Sequence, residues 1–271
     1  MKESDIGKAP PRFVIIESNL ETQDGSHDVA TLEEKVTTSG SVQENQADKS
    51  SGTVARRYTK SELEKRKIIH SGMKDDRGLN AFRRLRSSLL GKLGTFNCCI
   101  MVSSVNRDGG ASFVASNLAV AFAMDEQKNS LLVDCNFSQP SQHETFQIEN
   151  NSGLYDYLNG LEPSIENIIH RTMVPRVNLV PAGRPESDDQ IEYFTSKRMQ
   201  DFLTEVKKRY EDRIIIIDSP PILESADSKV IAELCEHVLL VIPYNNATPL
   251  RVKQTVKEFG QEKIIGCVIN N

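Results

Sequence analysis

The sequence predicts an α/β fold in which a doubly wound, mostly parallel sheet carries helices on both faces. Three observations predict it. Six short runs rich in Val, Ile and Leu lack polar alternation, as parallel strands covered on both faces do. Helical segments separate most of these runs, so strand and helix alternate along the chain. Two of the runs end in a single aspartate, Asp134 and Asp218, at the carboxyl ends of strands, where ligands bind in such sheets.

Taken in order, residues 1–57 read as a disordered acidic and polar region. The first fifty hold ten acidic and five basic side chains. Val36–Val54 is almost devoid of apolar residues, so burial cannot offset the entropy of ordering it. Within this region Arg12-Phe-Val-Ile-Ile-Glu17 is apolar, and reads either as a transient or edge strand or as a docking peptide. Residues 58–95 are predicted to form a helical extension. Thr59-Lys-Ser-Glu62 fits a capping box opening a helix to about His70. Asn80–Leu93 forms a second helix, with Phe82, Leu85, Leu89, Leu90 and Leu93 on one stripe and Arg83, Arg84 and Arg86 mostly off it. Residues 96–271 then alternate. The strands are Cys98–Ser103, Ser130–Asp134, Val177–Pro181, Arg213–Asp218, Val238–Pro243 and Ile264–Asn270. The helices are Ala111–Met124, Leu154–Leu158, Ser196–Tyr210, Asp227–Glu233 and Pro249–Phe259.

Composition narrows the function. Of the net charge of −5, all resides in residues 1–50; the other 221 residues balance, 28 acidic against 28 basic. A neutral globular part has no electrostatic footprint for nucleic acid. The longest apolar runs, Cys98–Val102, Ile214–Ile217 and Val238–Ile242, fall far short of the ~18 residues that span a bilayer. The start, Met-Lys-Glu-Ser-Asp, has no signal-peptide pattern. The expectation is a cytoplasmic protein, peripheral at the inner membrane only through a partner. Five cysteines without Cys-x-x-Cys read as reduced core thiols.

The first strand runs through Ser103-Ser-Val-Asn-Arg-Asp-Gly-Gly-Ala-Ser112 into a helix, the position of a P-loop, where backbone amides and a helix N-terminus cradle phosphates. Gly110 holds the second glycine of the standard spacing and Ser112 the hydroxyl, but Ala111 stands where the lysine belongs. That lysine carries positive charge to the β- and γ-phosphates. Asp108, Gly109, Gly110, Ala111 and Ser112 are therefore the candidate nucleotide-binding residues, and Arg107 the nearest replacement charge. Taken alone, Asp108-Gly109-Gly110 also fits a plain strand–helix turn. Asp134 and Asp218, each after an apolar strand, match the usual Mg²⁺ or Mg²⁺-water ligands of P-loop proteins. With Ser112 they make the candidate metal set.

Together these stretches resemble the bacterial tyrosine kinases of exopolysaccharide biosynthesis, which belong to the MinD/ParA branch of P-loop proteins. The resemblance runs from about Asn80 to Asn271. It is carried by Ala81-Phe-Arg-Arg-Leu-Arg-Ser-Ser-Leu89, Ser116-Asn-Leu-Ala119, Leu132-Val-Asp-Cys-Asn136 through Pro140, Gly153-Leu-Tyr-Asp-Tyr-Leu-Asn-Gly160, Val180-Pro-Ala-Gly183, Ile216-Ile-Asp-Ser-Pro-Pro221 and Ala226-Asp227. The segment Tyr58–Leu93 looks most like the subgroup linked to exosortase-type polysaccharide clusters.

The departures from the family cluster at the chemistry. Besides Ala111, a loop glycine is Asp108, and the second acid of Asp-x-Asp, a candidate base, is Asn136. The following basic residue is lost within Phe137-Ser138. The Glu-x-x-Arg-x-x-Arg oligomerisation motif reads Asn80-x-x-Arg83-x-x-Arg86, and the segment after Gly183 lacks Pro-Asn-Pro. The sequence ends Val268-Ile-Asn-Asn271 without the tyrosine-rich tail; Tyr155 and Tyr157 are expected to pack a helix.

The resemblance implies ATP or ADP with Mg²⁺ as cofactor, and Asp134 as the catalytic residue if the protein is active. It implies a chain-length-determinant (polysaccharide co-polymerase) membrane protein as partner, and a homo-oligomer. The departures turn that into a kinase-like regulator of exopolysaccharide or capsule polymerisation or export, weak or inactive in phosphotransfer. An active protein-tyrosine autokinase and a MinD/ParA-like assembly ATPase remain as alternatives. Against the latter, no early lysine stands between Ser103 and Ser112.

Overall fold

A computed structural model describes residues 56–93, 97–184, 191–209, 213–244 and 246–270. The Arg12–Glu17 segment and nearly all of the expected disordered region lie outside these.

The chain begins with α1 (Lys60–Lys65) and α2 (Arg77–Lys92), followed by β1 (Cys99–Ser104), α3 (Ala111–Ala123) and β2 (Asn129–Asp134). Three short helices, α4 (Gln142–Thr145), α5 (Leu154–Leu158) and α6 (Ile165–Ile168), lead to β3 (His170–Arg171) and β4 (Val177–Val180). Then come α7 (Ile191–Thr195), α8 (Lys197–Arg209), β5 (Arg213–Asp218), α9 (Ala226–Leu234), β6 (His237–Pro243), α10 (Pro249–Phe259) and β7 (Ile264–Asn270). The strands form one sheet in the order β3-β4-β2-β5-β1-β6-β7. Every neighbouring pair is parallel except β3 and β4. The fold is thus the expected doubly wound sheet.

Its core follows from the two-residue period of a strand. In β1, Cys99 and Met101 point to one face and Ile100 and Val102 to the other; in β5, Ile215 and Ile217 oppose Ile214 and Ile216. One face packs beneath α5, α8 and α9 through Leu154, Phe202 and Ile231, the other beneath α2 and α3 through Phe82 and Leu118. Burial on both sides explains why these strands lack polar alternation.

The helical extension is sewn into that second face. Thr59 and Glu62 form the expected capping box. The helix ends at Lys65, short of His70, because the backbone turns at Lys67 (φ 56°) and sends Ile68 and Ile69 inward, 0% and 3% exposed. Burying both isoleucines outweighs another helical turn. Asn117 of α3 holds this turn: its Oδ1 accepts from the Ile69 amide at 2.8 Å, and its Nδ2 donates to the carbonyls of Lys67 and Phe113 at 3.0 Å. α2 starts three residues before the expected Asn80. It buries Leu79, Phe82, Leu85 and Leu89, while Leu90 and Leu93 are half-buried. Arg83 and Arg84 are exposed, and Arg86 donates to the Ala121 carbonyl at 2.9 Å.

Four cysteines are buried, Cys267 is half-buried, and all five are unpaired thiols. Burial pushes the Cys98 thiol up to about 12, which keeps it protonated and inert. Among the described residues no helix is long and apolar enough to cross a membrane.

Asn117→Ala leaves the buried Ile69 amide without an acceptor. It should cost about 1–3 kcal/mol, read as a lower urea midpoint with an unchanged m-value.

Candidate functional site

β1 lies between β5 and β6, and the connections leaving it and returning run to opposite sides. This is a topological switch point, where a crevice opens beyond the strand ends. A cleft of about 300 Å³ lies there, bounded by the β1–α3 loop, the segment after β2 and the turn after β5.

The loop has a cradle's geometry. Gly110 caps α3 at φ 87° with no side-chain hydrogen bond to the helix. The first amides of this 13-residue helix are thus presented to the cleft without an intrahelical acceptor. A Cβ on Gly110 would collide with the Asn270 side chain, and one on Gly109 would sit 2.7 Å from the Ser104 Cβ and 2.9 Å from the Asn106 carbonyl. Both glycines are required by close approach. Asp108 is also left-handed, at φ 58°, a conformation that costs a non-glycine residue roughly 1–2 kcal/mol. This is where the resemblance expects a glycine. The loop is anchored at both ends: Asn270 Nδ2 donates to the Gly109 carbonyl at 3.1 Å, and Asn106 donates to the Asn246 carbonyl.

All five candidate loop residues, Asp108 through Ser112, line the cleft, with Asn136, Ser138 and Gln139 opposite. Ala111 is 7% exposed and its methyl belongs to the core shared with α2. Arg107 lines the cleft too. Its Nε donates to Glu224 Oε2 at 3.3 Å and its backbone amide to Glu224 Oε1 at 3.3 Å.

Asp134 and Asp218 are brought together. They face each other in register on β2 and β5, both 0% exposed. They lie beneath the cleft rather than on its surface. Asp134 accepts from the amides of Asn136, Ser141 and Gln142, each at 3.1 Å. Asp218 Oδ2 accepts from the Gln142 side-chain amide at 2.6 Å. Burial raises both carboxyls above the usual range, and the neighbouring Asp218 charge raises Asp134 further. The backbone amides oppose the rise at Asp134; Gln142 and the Ser112 hydroxyl oppose it at Asp218. Even so, Asp218 Oδ1 is left without a well-formed hydrogen bond.

Two buried carboxylates, one of them with an orphaned oxygen, and a hydroxyl form an all-oxygen donor set. That suits a small hard cation such as Mg²⁺, which takes one or two carboxylates and completes its shell with water and phosphate. Among the described residues there is no cluster of three or more His, Cys, Asp or Glu able to hold a metal by themselves, so a cation here would need water or phosphate oxygens to complete its shell.

Three residues that matter here carry no conspicuous sequence signal. Gln142 is fully buried. It joins Ser116 Oγ (2.7 Å), the Ser112 carbonyl (3.1 Å), Asp134 and Asp218. Glu224 ends the turn Ile222-Leu-Glu224 between β5 and α9 and follows two apolar residues. Asn270 was the most legible of them: like the two aspartates, it is a polar residue ending an apolar strand.

A family model for an AAA domain matches residues 100–256. The tyrosine-protein kinase wzc of Salmonella typhi is 27% identical over 219 residues, which are 80% of this chain and 29% of that protein. The chain spans about a quarter of the length of several other curated relatives. Among solved structures, the kinase domain of the Escherichia coli tyrosine kinase ETK aligns with a TM-score of 0.67 at 23% identity, over 80% of this chain and 89% of that domain. The cell division ATPase MinD of Pyrococcus furiosus aligns with a TM-score of 0.52 at 19% identity, over 62% and 68%.

Gln142→Met keeps the side chain's length but removes its amide, so Asp218 Oδ2 loses its 2.6 Å donor. The variant should unfold about 1–3 kcal/mol more readily in equilibrium urea denaturation.

Proposed function

Since the chain belongs to the AAA-domain family of P-loop proteins and its homologues are bacterial tyrosine-protein kinases, we propose that it is a nucleotide-binding, kinase-like regulator of exopolysaccharide or capsule polymerisation or export, with phosphotransfer weak or absent. The observation that carries this is Ala111. It begins α3 where the lysine belongs, and its side chain is packed into the core. The loop therefore offers phosphate its amides and the helix dipole, but no lysine charge that follows the transferring phosphoryl group.

Binding and catalysis separate here for a physical reason. Amides at a helix N-terminus hold the ground-state phosphates without any side chain. Ser112, Asp134 and Asp218 would hold Mg²⁺, directly or through water; bound there, it would neutralise charge on the β- and γ-phosphates. Asn136 lies on the far wall of the cleft. It is an amide where the family carries its candidate base, so it orients a ligand but does not take up a proton at neutral pH. Asp134 is the remaining carboxylate near this wall, and it is buried and held by three amides. The partner proposed for such a regulator is a chain-length-determinant membrane protein, supported by the resemblance of residues 80–271 to kinases of that system.

A second reading, a tyrosine autokinase, draws on Tyr244, which is 61% exposed just past β6. Tyr155 and Tyr157 are buried, at 2% and 8%, and need α5 to open before they can be modified.

Isothermal titration with ADP or ATP and Mg²⁺ on wild type, Ala111→Lys and Asp218→Ala tests the first reading. Wild type should bind weakly and only with Mg²⁺, Ala111→Lys more tightly, and Asp218→Ala not at all. Phosphotyrosine formation should trail that of a lysine-bearing homologue by roughly 100- to 1000-fold. Flat titrations throughout overturn nucleotide binding, and phosphorylation at the homologue's rate overturns the impaired-kinase reading.

A further inference from the structure

We infer that Arg107 supplies the phosphate-binding charge that Ala111 lacks, and that Glu224 holds it in reserve until a polyphosphate displaces the carboxylate. The inference rests on the nucleotide reading above and assigns a specific residue and a competitor within the same cleft.

Among the described residues, Arg107 is the only cationic side chain lining the cleft; the other charged lining residues are Asp108 and Glu224. At the cleft wall, an incoming di- or triphosphate meets two carboxylates, Asp108 and Glu224, and one cationic side chain, whatever charge Mg²⁺ would bring beneath it. The loop amides alone do not balance that charge, so the guanidinium is the natural counterion.

The Arg107–Glu224 bridge is built to open. The Arg107 side chain is 60% exposed. Its Nε contact with Glu224 is long, at 3.3 Å, and its two terminal nitrogens make no hydrogen bond among the described residues. An exposed pair of this kind is worth little. Glu224 does not depend on it, because Oε1 also accepts from Arg251 of α10 at 2.9 Å. When Arg107 swings away, Glu224 keeps a cation and Arg107 offers two or more free donors to phosphate oxygens in fork geometry. The residue sits one position before the left-handed Asp108 and three before Gly110, on the anchored loop itself. Its reach into the cleft therefore needs a change of side-chain rotamer and no movement of the backbone.

The bridge also sets the affinity. Glu224 and phosphate compete for one guanidinium, so the carboxylate acts as a built-in competitor for anionic ligands. Neutralising it should tighten binding, whereas a bridge that merely stabilised the loop would have the opposite effect.

The test uses the full chain and a fluorescent ADP analogue with Mg²⁺, on wild type, Arg107→Ala, Glu224→Gln and the double variant Arg107→Ala/Ala111→Lys, with melting temperatures as the folding control. Arg107→Ala should weaken binding roughly 10- to 100-fold, and Glu224→Gln should tighten it several-fold. Ala111→Lys should restore affinity in the Arg107→Ala background. Binding by wild type that Arg107→Ala leaves unchanged overturns the inference alone, as does equal weakening by Arg107→Ala and Glu224→Gln. Absence of binding by wild type and by the lysine-bearing double variant overturns the nucleotide reading itself.

Discussion

Two carboxylates buried side by side set the terms for the rest of the site. β2 and β5 are parallel neighbours, and their register puts Asp134 directly beside Asp218 with neither exposed to solvent. Like charges in such a place repel, and burial penalises each one. The protein answers with three backbone amides on Asp134 and one side-chain amide on Asp218. The segment from Asn136 to Gln142 is shaped by that duty: its amides turn inward to the carboxylate, which places Asn136, Ser138, Gln139 and Ser141 along the cleft. Gln142 is the tie, reaching α3, β2 and β5 at once. Since the folded state raises both carboxyl pKa values, the pair binds protons more tightly folded than unfolded. Its contribution to stability therefore falls as pH rises from the unfolded value of 3.8 through the raised values. A cation at the orphaned Asp218 oxygen would remove that penalty.

Above the carboxylates, the loop keeps its shape without its lysine. Gly109 and Gly110 are dictated by contacts with Ser104, Asn106 and Asn270, so the turn is specified by packing and persists whatever side chain follows. This is why the scaffold and the chemistry can part company. Ala111 adds its methyl to the core beneath α2, and the helix N-terminus still faces the cleft. What is lost is mobile positive charge, which matters most when charge moves in a transition state.

The sheet was legible in the sequence because its signal is collective. Six strands and five of the helices that follow β1 agree with the structure at their ends to within a residue or two, as do the two N-terminal helices apart from the start of α2 and the end of α1. The elements that were missed are short. β3 has two residues and pairs antiparallel at the sheet edge, α4 and α6 have four each and α7 has five, too few for any period to show. At the site, the strand-end aspartates and the loop glycines were legible because position along a parallel strand predicts position in space. The contacts of Gln142 and Glu224 were not. They arise from long-range closure, 76 residues apart for Gln142 and Asp218 and 117 for Arg107 and Glu224, and neither residue type announces such a role.

If the carboxylate pair is kept for a cation and phosphate rather than as a buried relic, its effect on stability must answer to both. Thermal unfolding of wild type and Asp218→Asn, with ADP in Mg²⁺ or in a chelator, decides this most directly. Mg²⁺ with ADP should raise the wild-type melting temperature, ADP in chelator should not, and Asp218→Asn should melt higher than wild type without ligand yet gain nothing from Mg²⁺ and ADP. A wild-type melting temperature indifferent to Mg²⁺ and ADP, or an equal rise in Asp218→Asn, would contradict a role in holding the cation and phosphate.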